Sequence, residues 1–353
     1  MSNSVPARTS HQLPAARGDA QRLTNLETKP GEKSGLDVSV VVCTRNRSAA
    51  LAGACDAMLA VDYDPARWEM LIVDNSSTDD TAQVARSVVD SHPGRVRVMV
   101  EEEIGLSAAR NAGVAATEAA IVAFIDDDAF PEPDWLTAIM KGFQRSDVMC
   151  VGGPVEPLIE GELPSWFRGR FLPYLTVWDL GDEAIELKYN EYPRGANIAY
   201  RRSGLELVGG FSVHLGRRGS SLLSCEEIEL CLRLERAGFV TLYQPGARVR
   251  HLTPVGRMTS EWLHARFAAQ GRSEAIVNWM HGGWAGVRAG LRTVRRHARD
   301  AGRDRAQVGR IFAECHRHTV RGYYRGLIDI IRVPRYRPPS DEVTLKPWMP
   351  FSS

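Results

Sequence analysis

Three adjacent carboxylates, Asp126, Asp127 and Asp128, directly follow the apolar run IVAFI at residues 121–125. Such a run is typical of a buried strand, and like charges at its end repel one another, so a compensating group is needed. Side chains alternate in an extended segment, so Asp126 and Asp128 are expected to point the same way and Asp127 the opposite way. Two carboxylates on one face suit Mg²⁺ or Mn²⁺, ions that keep positions open for substrate phosphates. For an isolated Asp-x-Asp pair, the alternative is a solvated loop with an aspartate at a helix N-cap.

Other polar motifs could lie beside these carboxylates. Earlier strand-like runs end in TRNR, DNSSTDD and EEE, and the last of these precedes the helical stretch GLSAARNAG. Candidate substrate-binding residues within these motifs are Thr44, Arg45, Asn46, Asp74, Asn75 and Arg110. Arginine is a natural partner of phosphate and carboxylate groups. Any one of these motifs is a common turn, but all of them in this order favour one shared site.

The elements that must position these residues alternate between strands and helices. Strands are predicted at 38–43, 70–74, 96–100 and 121–125, with helices through 51–59, 81–89 and 105–117. Near-continuous apolar strands that alternate with helices indicate an α/β fold whose mostly parallel, Rossmann-like central sheet has helices on both faces. Ligands of such sheets bind at the carboxyl ends of the strands, so the polar motifs are expected to converge on one rim.

Over roughly residues 38–260 the chain resembles the family 2 glycosyltransferases of the GT-A fold. The resemblance rests on VVCTRNR, VDNSSTDDT, GLSAARNAG, FIDDDAFP, RGANIAYRR followed by GGF, and SCEEIELCLRL. It implies a GT-A fold and a metal-dependent, inverting transfer of one sugar from a nucleotide-sugar to an acceptor hydroxyl. A UDP-linked hexose is the default donor, and the acceptor would be a lipid-linked glycan or a small molecule. Glycan, cell-surface polysaccharide and secondary-metabolite biosynthesis are all compatible with this reaction.

The resemblance also implies which residues bind the nucleotide-sugar. Thr44, Asp74 and Asp126 would hold the nucleoside, and Arg110 would lie near the nucleotide. The full set predicted to bind it is Thr44, Arg45, Asn46, Asp74, Asn75, Arg110, Asp126 and Asp127.

Metal binding and catalysis are assigned in the same way. Asp128 would be a ligand of Mn²⁺ or Mg²⁺, joined by Asp126 and by His251, which otherwise is a partly buried histidine at a strand end. Glu227 would be the catalytic base, with its neighbour Glu226 as the second candidate. Both begin a predicted helix, whose dipole favours the ionised form that a base needs. The alternative for the pair is ordinary N-terminal helix charge.

Three features depart from the family pattern. Cys43 replaces the usual proline, and Glu227 replaces the more common aspartate, which lengthens the base by one methylene. The Q-x-x-R-W element of processive synthases is absent, so one sugar is expected to be added per encounter. A glycine-rich turn after the first strand is also absent, which disfavours a dehydrogenase or methyltransferase.

The C-terminal part is strongly basic, with 14 Lys or Arg against 4 Asp or Glu over residues 288–337. Its arginines recur at helical spacing opposite an apolar stripe through Val287, Leu291 and Val294, which predicts a basic helical extension. This extension could pack on the catalytic domain, contact an anionic membrane or bind nucleic acid. Nucleic acid is disfavoured because no reading motif accompanies the charge. The non-enzyme alternative is a non-catalytic GT-A-like protein that binds through this extension.

The remaining expectations concern organisation and location. The chain is divided into a disordered leader 1–36, a GT-A domain 37–260, a basic helical extension 261–337 and a tail 338–353. The GT-A domain has a nucleotide-binding half, 37–155, and an acceptor half, 156–260. Six scattered cysteines without zinc-like spacing predict reduced thiols. A cytoplasmic location is expected, with peripheral attachment to the membrane face left open.

Overall fold

The computed structural model describes residues 35–167, 169–189, 191–303 and 307–339. The predicted leader, 1–36, and the predicted tail, 338–353, lie almost wholly outside the described residues. The described chain folds into two β-sheets covered by helices, followed by a helical C-terminal region.

The main sheet has eight strands. They are β1 (Val38–Thr44), β2 (Trp68–Asp74), β3 (Val96–Val100), β4 (Ile121–Asp126), β6 (Val148–Gly152), β8 (Ile185–Leu187), β9 (Asn197–Arg201) and β10 (Val240–Tyr243). Their order is β3-β2-β1-β4-β9-β6-β10-β8. The first four neighbours are parallel, as are β6 and β10, whereas β9 lies antiparallel between β4 and β6. The expected mostly parallel sheet is confirmed.

A second sheet of three strands lies at the carboxyl end of β4. Its strands are β5 (Ala129–Pro131), β7 (Val155–Ile159) and β11 (Val249–Thr253). Strand β11 is central, antiparallel to β5 and parallel to β7, with His251 opposite Ala129. The two last strands of the described chain, β10 and β11, therefore belong to different sheets. This small sheet brings His251 beside the turn that contains Asp128.

Helices cover both faces of the main sheet. They are α1 (Ser48–Leu59), α2 (Thr81–Ser91), α3 (Leu106–Ala115), α4 (Trp135–Gly142), α5 (Arg202–Val208) and α6 (Glu226–Arg236). Val40 and Val42 of β1 pack in one apolar cluster with Leu51 of α1, and Val41 packs in another with Ala109 of α3. Because both faces of β1 are buried, its sequence is a continuous apolar run rather than an alternating one.

Two long helices form the C-terminal region, α7 (Ser260–Ala301) and α8 (Gln307–Asp329). Gly283, at φ 54° and ψ −147°, interrupts α7. The second half of α7 then folds back onto the first half. A Cβ added to Gly290 would lie against Asn278, in the first half, and against Tyr323 of α8. A straight helix, which rises 1.5 Å per residue, would hold residues 278 and 290 too far apart for this contact. Val287 and Val294 are buried. The predicted basic amphipathic helix is thus confirmed, and its arginines at 288, 292, 295, 296 and 299 are exposed. None of the described helices is long and apolar enough to cross a membrane.

Glycines allow α7 and α8 to pack closely. A Cβ on Gly322 would overlap the backbone carbonyl of Ala268. We therefore expect Gly322→Ala to lower the free energy of unfolding by about 1–3 kcal/mol, the usual cost of overpacking, as measured by chemical denaturation. Gly256→Ala is the matched control, because a Cβ there meets no atom within 4 Å. Equal unfolding midpoints for the two variants would contradict this packing.

Candidate active site

One large cavity, of about 770 Å³, opens at the carboxyl ends of β1 and β4 and at the N-terminus of α6. Residues of α7 and α8 form its opposite wall. Ten of the residues predicted from sequence line it: Thr44, Arg45, Asn75, Arg110, Asp126, Asp127, Asp128, Glu226, Glu227 and His251. The predicted convergence of the polar motifs on one rim therefore occurs. Asn46, in the loop after β1, and Asp74, the last residue of β2, do not line it.

A three-residue cluster at this rim has the chemistry of a metal site. One ligand atom each from Asp126, Asp128 and His251 lies within 4.8 Å of the others. Nε2 of His251 is 3.1 Å from Asp128 Oδ1 and 3.9 Å from Asp126 Oδ2. The small sheet fixes this geometry, since the backbone N–H of Leu252 donates to the carbonyl of Asp128 at 2.8 Å. Two carboxylates and an imidazole suit Mn²⁺ or Mg²⁺, so the donor set fits a divalent cation.

Two arginines neutralise the acidic cluster. The guanidinium of Arg47 contacts Asp128 and lies 3.3 Å from Asp127, while that of Arg257 lies 3.5 Å from Asp128. Burial alone would raise the pKa of Asp128, but the bond to His251 and the two arginines outweigh it and lower the pKa to about 2. Burial and the charge of Asp128 raise the pKa of Asp127 to about 7. Sequence analysis assigned neither arginine, although Arg47 lies inside the motif TRNR.

Two of the predicted nucleotide-binding side chains hold the rim together. The amide of Asn75 donates to the carbonyls of Glu101 and Glu103 at 3.0 and 2.8 Å and accepts from the N–H of Gly105 at 2.7 Å. Arg45 donates to the carbonyls of Asn75 and Ser76. These bonds join the loops after β1, β2 and β3, so both residues order the wall that a nucleotide would contact.

Asn46 and Asp74 have a similar local function. Asn46 has a positive φ of 52°, and its Oδ1 accepts from the N–H of Thr78 at 2.7 Å. Asp74 Oδ1 accepts from the N–H of Ser77 at 3.0 Å. Both side chains therefore shape the loop between β2 and α2, and their contact with a nucleotide stays a prediction. Among the described residues, the buried hydroxyl of Thr44 has no hydrogen-bond partner.

Arg110 connects the acidic cluster with helix α6. Its side chain is 2% exposed, and its Nη1 lies 2.9 Å from Glu226 Oε1. Nη2 lies 3.5 Å from Asp126 Oδ1 and donates to the carbonyl of Gly195 at 3.1 Å. A buried arginine requires a charged partner, and Glu226 supplies it. Glu226, the second candidate for the catalytic base, is therefore held in an ion pair with Arg110.

Glu227 differs from Glu226 in this respect. No ion pair of Glu227 occurs in the part of the chain that the structure describes, and its Oε2, like that of Glu226, is buried without a hydrogen-bond partner there. Burial and the neighbouring Glu226 carboxylate raise the pKa of Glu227 to about 8, which Arg110 only partly offsets. A carboxylate with a raised pKa on a cavity wall is suited to take up a proton near neutral pH.

The raised pKa of Glu227 leads to a pH prediction. A base must be ionised, and Glu227 is protonated below its pKa, so kcat/KM is expected to rise with pH through an apparent pKa near about 8. The profile is measured as initial rates of sugar transfer at saturating metal. A rate that stays constant from about pH 6 to about pH 9 would exclude Glu227 as the base.

The aromatic segment at residues 164–167 and 169–178 contributes both to core packing and to the cavity lining. Phe167 and Phe171 are fully buried in an apolar cluster with Phe267 of α7. Tyr174 stacks on Phe267 at 3.8 Å between ring centroids and also lines the cavity. All six cysteines are free, as expected, and five of them are buried.

The fold of this chain is the GT-A fold of solved glycosyltransferases. A mannosyltransferase from Pyrobaculum calidifontis, PcManGT, solved in complex with GDP-Man and Mn²⁺, matches with a TM-score of 0.58 at 19% identity, over 88% of this chain and 93% of that one. GalNAc-T7, solved with UDP, GalNAc and Mn²⁺, matches with a TM-score of 0.52 at 13% identity, over 85% of this chain and 57% of that one. These similarities establish the fold.

Sequence comparison gives the family. The profile of Glycosyl transferase family 2 matches residues 39–208. A glucosyl-dolichyl phosphate glucuronosyltransferase of Haloferax volcanii is 30% identical over 251 residues, which are 70% of this chain and 79% of that protein. A pre-mycofactocin glycosyltransferase of Mycobacterium tuberculosis is 30% identical over a region that makes up 71% of this chain and 50% of that relative. The chain belongs to glycosyl transferase family 2 and is a glycosyltransferase.

Proposed function

We propose that this enzyme transfers one sugar from a nucleotide-sugar, a UDP-hexose by default, to an acceptor hydroxyl with inversion at the anomeric carbon. The observation that carries the proposal is the span of Arg110 from Asp126, in the acidic cluster, to Glu226, beside Glu227. The guanidinium of Arg110 thus lies between Asp126, which would hold the metal, and the adjacent pair Glu226 and Glu227, of which Glu227 would take the proton.

Each part of the reaction can be assigned to a side chain. Asp126, Asp128 and His251 would hold the divalent cation, which when bound stabilises the negative charge that develops on the leaving diphosphate. Glu227 would accept the proton of the acceptor hydroxyl as its oxygen bonds to the anomeric carbon. The bond from that carbon to the diphosphate breaks in the same step, and the nucleoside diphosphate leaves. A single displacement of this kind inverts the configuration.

A lipid-linked glycan or a small molecule is the proposed acceptor, used without processive extension. The Haloferax volcanii relative is named as a glucosyl-dolichyl phosphate glucuronosyltransferase, which supports a lipid-linked acceptor here. We also propose a cytoplasmic location, in keeping with the six free cysteines, and peripheral attachment through the exposed arginines of α7. Those arginines would contact anionic lipid headgroups rather than nucleic acid.

Nucleotide binding tests the proposal. Thermal unfolding is measured with UDP, GDP, CMP and dTDP, each with and without Mn²⁺. A nucleotide at about 100 times its dissociation constant should add about 2.7 kcal/mol to the free energy of unfolding. A metal-dependent shift with one nucleotide would identify the donor base. The absence of a shift with every nucleotide, in a folded sample with metal, would refute the proposed function.

A further inference from the structure

Three arginines from distant parts of the chain line the cavity. Arg194 lies just before β9, Arg217 lies in the loop before α6, and Arg266 lies on α7. Within the described ranges, none of the three forms an ion pair with a carboxylate. Cavity walls seldom concentrate cations without an anion to offset their mutual repulsion.

The other arginines that face the acidic cluster are paired. Arg47 and Arg257 both contact Asp128, and Arg110 lies 2.9 Å from Glu226. Arg47, Arg110 and Arg257 thus neutralise carboxylates of the metal site and of α6. Within the described ranges Arg194, Arg217 and Arg266 form no such pair, and neither does Arg45, whose guanidinium donates to two backbone carbonyls.

A chain of hydrogen bonds attaches Arg266 to the loop that precedes the base. Gln270 Oε1 accepts from Arg266 Nη1 and from Ser224 Oγ, each at 3.1 Å. The amide of Gln270 donates to Glu274 Oε1, also at 3.1 Å. Ser224 lies three positions before Glu227 in the sequence. The contact with Ser224 thus holds Arg266 on the side of the cavity that contains the proton acceptor.

Burial and mutual repulsion act together on these arginines. Nε of Arg194 is buried and has no hydrogen-bond partner among the described residues. Burial lowers the pKa of Arg194, and the charge of Glu227 counteracts this more strongly than any other group. Burial, and then Arg266 and Arg257, lower the pKa of Arg217 to about 10. A bound anion would stabilise all three cations.

We propose that Arg194, Arg217 and Arg266 form an anion subsite for the acceptor, so that the acceptor carries a phosphate group near the hydroxyl that reacts. This inference rests on the proposed function and specifies its acceptor. Phosphate is favoured over carboxylate because a tetrahedral anion offers oxygens to guanidinium groups that approach from three segments, whereas a carboxylate is satisfied by one bidentate arginine.

The donor diphosphate is a second source of the same anion, and the position of Arg194 argues against it. Glu227, rather than any residue of the acidic cluster, is the carboxylate that acts most strongly on Arg194. Arg47 and Arg257 already flank Asp128, where a diphosphate bound to metal would lie. Arg194 and Arg266 therefore lie on the side from which an acceptor would approach Glu227, whereas Glu226 and Asp126 are the carboxylates that act on Arg217.

Farnesyl phosphate and farnesol are the probes, since they differ only in the phosphate group. Their dissociation constants are measured by calorimetry on the full chain, with Mn²⁺ and a saturating nucleotide already bound. We expect farnesyl phosphate to bind at least about tenfold more tightly than farnesol, in line with charge-assisted hydrogen bonds. Arg266→Gln should remove this difference, and Arg266→Lys should retain part of it. Arg86→Gln, at an exposed position of α2, is the matched control and should behave as wild type.

The outcomes separate the sources of the anion. If inorganic phosphate binds and its binding also depends on Arg266, the phosphate group is sufficient for recognition. If farnesyl phosphate binds and inorganic phosphate does not, the isoprenoid part of the probe contributes as well. Equal affinity for farnesol and farnesyl phosphate would overturn the inference, as would farnesyl phosphate that binds only when the nucleotide is left out. Should Arg266→Gln fail to fold, Arg194→Gln replaces it and is expected to remove the same difference. Nucleotide binding is recorded separately, so failure of the proposed function is distinguished from failure of this subsite.

Discussion

Asp128→Asn is expected to abolish metal-dependent nucleotide binding and to reduce sugar transfer by at least about a thousandfold. A bound cation contributes several kcal/mol to the stabilisation of developing charge, and each 1.4 kcal/mol is about tenfold in rate. Asparagine has the same shape as aspartate but lacks its charge, so the turn after β4 should be retained. Asp128 also contacts His251 and Arg47, and losing its carboxylate removes the centre of this cluster.

Two measurements check this expectation. Thermal unfolding with Mn²⁺, with and without nucleotide, reports binding independently of catalysis, and initial rates report transfer. Asp90→Asn is the control, because Asp90 is an exposed acid on α2 far from the rim. A variant at Asp128 that keeps its shift with Mn²⁺ and nucleotide would show that the cation is held elsewhere.

The second large effect separates the two adjacent glutamates of α6. Glu227→Gln is expected to lower kcat by about 10²–10⁴-fold while leaving the fold and nucleotide binding intact, because general-base assistance has this magnitude. Glu226→Gln is expected to lower the free energy of unfolding by about 3 kcal/mol or more, since it removes the buried partner of Arg110 and leaves only the longer, 3.5 Å contact with Asp126. One variant should thus lose rate and the other stability.

Stability is measured by chemical denaturation and rate by single-turnover transfer, which separates chemistry from product release. Each variant is the control for the other, since both remove one carboxylate from adjacent positions. If Glu226→Gln loses rate without loss of stability, and Glu227→Gln keeps its rate, Glu226 is the base and the assignment is reversed.

Local sequence predicted the parts of the site that depend on neighbours in the chain. The strand that ends at Asp126 and the helix that begins at Glu226 follow from apolar periodicity. Asp126 and Asp128 share a site as expected, but the extended segment assumed for them ends at Asp126, and a turn at Asp127 and Asp128 brings them together. The polar loops converge on one rim because strands β1, β2 and β4 are parallel. These features depend on short-range rules, which a sequence displays directly.

Features that depend on tertiary packing were not predicted. Arg257 and Arg266 reach the cavity only because the segment after β11 folds over it, and helical periodicity does not indicate which partner a helix covers. The ion pair between Arg110 and Glu226 joins α3 to α6, so sequence could select both residues but not assign one as the partner of the other. Strand β9 in turn pairs with β4 from a distant segment, and no local pattern specifies such a pairing.

The close approach of α7 and α8 has a consequence for the choice of acceptor. Trp262 and Arg266 of α7 face Phe312 of α8 on the cavity wall, and the spacing of the two helices is set by Gly271 and Gly322. The position of this cavity wall is therefore fixed by the absence of two methyl groups at the helical interface. If the proposed acceptor contacts this wall, a change in substrate range could begin at that interface without altering any residue that binds sugar.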